Sequence, residues 1–108
     1  MKRKDTKCYR DLVENYCSSR LHFENAEESI SNAKENIEKS FEKYAELDND
    51  DSIIKSWFDA FMGMSKSIIE MNTINKDYCG KRMEECGKLL VSDYGEDLEK
   101  LYEEYEVE

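Results

Sequence analysis

Proline is absent from this 108-residue chain, glycine occurs four times and histidine once. So little turn chemistry excludes β-sandwiches and barrels, which need such residues at each reversal, and favours long helices. No apolar run approaches the roughly 20 residues of a membrane span. The opening MKRKDTKCYRDL is basic but has no apolar stretch after it, so it is not read as a signal peptide, and a cytoplasmic protein is expected. His22 stands without a second ligand at helical spacing, and the four cysteines form no C-x-x-C, so no metal and no cofactor is expected. No nucleophile-and-base pair and no phosphate-cradling glycine loop can be picked out. No catalytic residue is therefore nominated, and the chain is read as non-enzymatic.

Charge, by contrast, is plentiful. Charged residues make up 39% of the chain and leave a net charge of −10, which disfavours direct contact with nucleic acid or an anionic membrane. Residues 93–108 hold eight acids and one lysine, a net −7, so the acidity belongs mainly to the tail. Lys2 to Arg10 hold five bases and one acid, so the two ends can attract one another or a partner of matching sign.

Tyr9, Leu12, Tyr16, Ser19, Phe23, Ala26, Ile30, Ala33, Ile37, Ser40, Tyr44 and Leu47 follow an unbroken alternation of three and four, the mark of a helix with one packed seam. Capped by Asp5 or Thr6, this predicts a helix over about 5–47, roughly 60 Å long at 1.5 Å per residue. The serines of CSSR, Cys17 to Arg20, are the one place where it would break, letting the chain fold more compactly. A second helix is predicted over about 52–91, with Ile54, Trp57, Phe61, Met64, Ile68 and Met71 as its seam. Beyond Met71 the register slips, and Cys79, Met83, Cys86 and Leu90 continue at mostly four-residue spacing. Asp93 and Glu96 make a capping box for a short acidic helix over about 94–107. The fold class is all-α. It is an antiparallel hairpin of two long helices with coiled-coil-like packing plus a short C-terminal helix, one domain that completes a bundle by dimerisation.

Between the long helices, Asp48, Asp50, Ser52 and Asp59 occupy positions 1, 3, 5 and 12 of a calcium loop. Ile53 stands where glycine must turn sharply and Lys55 where an apolar anchor belongs, so 48–51 is read as a turn that caps the second helix. What distinguishes this end is its apolar side chains. Ile53, Trp57, Phe58, Phe61 and Met62 cover a wider arc than one neighbour can bury. The first helix is expected to take Ile54, Trp57, Phe61 and Met64, leaving Phe58 and Met62 in need of another partner. The patch is the candidate dimer or partner surface, unless a break near Ser18 covers it internally.

Cys8 and Cys17 lie nine positions apart and face opposite ways on one helix, so four reduced thiols are expected. In the tail, Tyr94, Tyr102, Glu103, Glu104 and Tyr105 mix aromatic and acidic character suited to a basic groove. The alternative is that Leu98, Leu101 and Tyr105 pack on the hairpin while the acids meet water and the basic N-terminus. The length and central tryptophan loosely resemble small WXG-type secreted hairpins, although Trp57-Phe58-Asp59 stands where those carry W-x-G. Long helices ending in LLVSDYGEDL resemble BAR-type membrane scaffolds, whose concave faces are basic. The acidic, tyrosine-bearing tail resembles phage proteins that imitate DNA to block defence nucleases. None of these resemblances rests on a family-specific motif. The expected function is a protein–protein interaction module, an adaptor or inhibitor that occupies a partner's surface. A nucleic-acid mimic and a hairpin secretion substrate or membrane scaffold are the alternatives.

Overall fold

The computed structural model of the chain describes residues 2–46 and 52–107. Three helices are present among them: α1 (Lys7–Glu46), α2 (Ser52–Tyr94) and α3 (Leu98–Val107). The two long helices pack together as a hairpin, and no strand occurs among the described residues. Asp48, Asp50 and the rest of the turn expected at 48–51 lie outside the described residues. Ser52 to Asp59, however, are helical, which removes the second half of any wrapped calcium loop.

Thr6 caps α1. Its hydroxyl accepts the Tyr9 N–H at 3.2 Å and its carbonyl accepts that of Arg10, satisfying donors that a helix start leaves open. The helix then runs through CSSR without a break, and Ser19 is buried there. Serine's weak preference against the helix interior, about 0.5 kcal/mol per residue, is small beside the packing of a continuous face. Every described member of the predicted α1 seam, Tyr9 through Tyr44, is buried or half-buried.

At its far end α2 continues three residues past the predicted boundary. Gly95 ends it at φ 64°, a left-handed conformation that costs glycine nothing, and its N–H donates to the Val91 carbonyl. The expected capping box at Asp93 is not formed, because Asp93 belongs to α2. Asp97 caps α3 instead, with Oδ1 accepting the N–H groups of Glu99 at 3.1 Å and Lys100 at 3.4 Å.

The chain divides into two compact units, one of Met1–Glu24 with Lys76–Glu108 and one of Asn25–Asn75. The first has a closed core. Leu90 and Cys17 are fully enclosed, with Tyr16, Cys86, Tyr94 and Tyr102 around them and Leu98, Leu101 and Tyr105 of α3 packed on top. Gly87 lets the helices approach closely here, since a Cβ at that position would meet Leu98 Cδ1 at 3.2 Å and the Tyr16 ring at 3.3 Å, contacts tighter than usual.

In the Asn25–Asn75 unit, the only buried residues among those described are small: Ala26, Ala33 and Ser65. Two helices approach closely there but enclose no large side chain. Phe58 is half-buried, stacked on Tyr44 at 4.3 Å between ring centroids and edge-on to Phe41 at 5.3 Å. This shifts the expected register of α2, although Ile54 is inward as expected. The half-buried positions are Ile54, Phe58, Met62, Ile69 and Asn72, with Ser65 buried, while Trp57, Met64 and Met71 are well exposed and Phe61 and Ile68 sit on the shoulder beside α1. No slip occurs at Met71. From Ile54 to Leu90 the inward residues keep the 3.6-residue period of an ordinary straight helix, and the 3.5-residue alternation marks the other face.

The two aromatic neighbours therefore differ in their effect on folding. Phe58→Ala is expected to cost about 2 kcal/mol in guanidinium unfolding at low protein concentration, as loss of a half-buried ring does. Trp57→Ala should change stability by no more than about 0.5 kcal/mol.

Candidate interaction surface

The outward face of α2 is built by helix geometry alone. Trp57, Phe61, Met64, Ile68 and Met71, at alternating spacings of four and three, stand one above another. Trp57 is 76% exposed, Met64 66% and Met71 65%, with Ile53 and Ile74 similarly open at the two ends. Along one flank lie Ala60, Gly63 and Ser67, all exposed, and the place of a Cβ on Gly63 is open space. Only four residues between Ser52 and Asn75 are charged, Lys55, Asp59, Lys66 and Glu70, and at 100° per residue all four fall on the side of α2 away from this face. About half of the helix circumference is thus exposed and free of charge.

At the Trp57 end the face opens into a largely apolar groove of about 570 Å³, lined by Ile54, Trp57, Phe58, Phe61 and Met64 of α2 and by Tyr44 and Lys43 of α1. Of the residues nominated from sequence, Ile53, Trp57 and Phe61 belong to the exposed face. Phe58 and Met62 do not, because they are turned toward α1. Met64, Ile68 and Met71 replace them. Their spacing was visible in the sequence, but it was assigned to the inner seam.

The second nominated site is largely dismantled. Tyr94 and Tyr102 are buried in the core of the terminal unit, Tyr105 is half-buried, and only Glu103 and Glu104 remain fully on the surface. The tail closes on the chain's own N-terminal residues, the alternative that the charge distribution had offered. Lys2 pairs with Asp93 at 3.1 Å and its N–H donates to the Asp93 carbonyl, while Lys4 pairs with Glu96. Tyr9 donates to Glu96 at 3.0 Å, and burial together with that bond pushes its phenol up to about 12. Tyr102 donates to Glu24 at 2.8 Å, and its phenol too is raised, first by burial. The clamp that sequence reading missed is Arg20. Its guanidinium lies 4.3 Å from the Tyr102 ring centre and donates to Tyr16 at 3.0 Å and to Glu99 at 2.9 Å. It had been taken only as the end of a possible break.

Burial raises the Cys17 and Cys86 thiols, the reverse of an activated thiolate. A shallow groove of about 940 Å³ in the terminal unit, between Phe23, Gly80, Met83, Gly87 and Leu98, is bordered by Lys76 and Lys81. No cluster of three potential metal ligands occurs among the described residues, nor does any helix long and apolar enough to cross a membrane. No protein-family model, curated protein or solved structure matches the chain.

The tail clasp gives a pH dependence of known sign. The hydrogen bond and charge of Lys4, helped by Tyr9, hold the Glu96 carboxyl below its ordinary value of 4.5 against the opposing effect of burial. Its contribution to stability is complete above that pH and is lost as the pH falls through the lowered folded value. Chemical unfolding followed from pH 7 to pH 3 should therefore show a shallower acid decline for Glu96→Gln than for the wild type, from a lower starting stability.

Proposed function

We propose that this protein is a non-enzymatic interaction module, an adaptor or inhibitor in the cytoplasm, which works by burying the outward face of α2 in a protein partner. The supporting observation is the row Trp57, Phe61, Met64, Ile68 and Met71, left exposed on the flank of α2 next to the face that packs on α1. A large contiguous apolar face of this kind is unusual on a soluble chain unless something covers it. Trp57, flexible methionines and a groove beside them are the side chains and shape that anchor protein interfaces. The reading includes self-association. The acidic tail adds long-range attraction toward a basic region of a partner, with Glu103 and Glu104 on the surface, and acts on encounter rate more than on affinity. Nucleic-acid imitation is less well supported, since Tyr94 and Tyr102 are packed inside and part of the tail's charge is paired internally.

A photo-reactive phenylalanine analogue placed in cells at position 57 or 64 should give protein adducts, and the same probe at position 66 should not. Equal labelling at all three positions, or none, would remove the α2 face as the binding surface.

A further inference from the structure

Resting on that reading, we infer that the partner seated on the α2 face is a second copy of this chain, presenting the same face about a two-fold axis. The Asn25–Asn75 unit encloses only Ala26, Ala33 and Ser65, a two-helix layer whose large side chains have no other layer to close over them within the described residues. The spacing of Trp57, Phe61, Met64, Ile68 and Met71 suits knobs-into-holes contact with a helix carrying the same repeat, and α2 itself is such a helix. Ala60, Gly63 and Ser67 allow that helix to approach closely along one flank.

Electrostatics permits a copy at this face. Two molecules of charge −10 repel, and a two-fold contact sets each patch against itself, so it requires a patch without net charge. Ser52 to Asn75 meets that requirement, with two lysines and two acids, all on the side away from the contact. A basic partner would be drawn instead to the tail. The area also fits. Seven outward side chains from Ile53 to Ile74, more than half exposed on average, offer on the order of 800 Å² per chain at roughly 200 Å² each. A standard interface uses about 800 Å² per partner.

The test is the solution mass of the full chain by light scattering after gel filtration. The wild type and Met64→Leu should run at twice the 12.8 kDa chain mass. Met64→Asp should fall to the single mass with unchanged helical circular dichroism, and Ser67→Glu, an exposed flank position with no packing to lose, should do the same. A wild type of single mass at all concentrations overturns the inference, as does a dimer that survives both acidic variants. A monomeric wild type whose probe at position 64 captures a different chain in cells would refute self-pairing and leave the binding-surface reading intact. A monomer with no adduct at position 57 or 64 would refute both.

Discussion

An α-helix allots each residue a fixed direction, 100° from the last, so a long helix that packs on one side commits everything on its other sides to solvent or to a partner. In α2 that commitment is made by the residues that meet α1. Phe58 wedges against Tyr44 and Phe41, Ser65 is buried, and Leu90, Cys86 and Gly87 enter the closed core. Once these point inward, Trp57, Met64 and Met71 are left on an exposed flank of α2, with Phe61 and Ile68 on its shoulder beside α1. The exposed apolar row is thus continuous with the edge of the α1 contact.

The two units differ because only one has a third helix to complete it. α3 lays Leu98, Leu101, Tyr102 and Tyr105 over the terminal unit, and that unit encloses Leu90 and Cys17 completely. Arg20 holds α3 in place by stacking on Tyr102 and bridging to Glu99, while Lys2 and Lys4 secure the chain just before it. Part of the acidic tail is thus structural, with Asp93 and Glu96 paired to Lys2 and Lys4 at the start of the same chain, while Glu103 and Glu104 stay on the surface. The Asn25–Asn75 unit has no such cover among the described residues, and its buried residues there are two alanines and a serine. Small side chains permit close contact between two helices but supply little apolar burial.

Much of this was legible in the sequence because helix periodicity is a direct record of facing. The α1 seam from Tyr9 to Tyr44 is inward at every described position. The attraction between the basic start and acidic end was visible as charge. The register of α2 was not, because that helix carries apolar residues on two faces. The regular row through Trp57 obscured the less regular one through Ile54, Phe58, Met62, Ser65 and Ile69, whose buried serine does not look like core. Spacing alone cannot rank two faces when the winner depends on a neighbour's Tyr44 and Phe41. The start of α3 was misplaced for a local reason: Asp93 and Asp97 can both cap a helix, and the left-handed turn at Gly95 decides for Asp97.

The chain's only tryptophan lies in the face on which this account turns. Its fluorescence against protein concentration is therefore the most direct measurement. A dilute sample should emit at long wavelength and be readily quenched by acrylamide, and concentration should shift emission to the blue and protect it as Trp57 becomes covered. Blue, protected emission from a sample that light scattering shows to be monomeric would place Trp57 inside its own chain and contradict the outward register of α2.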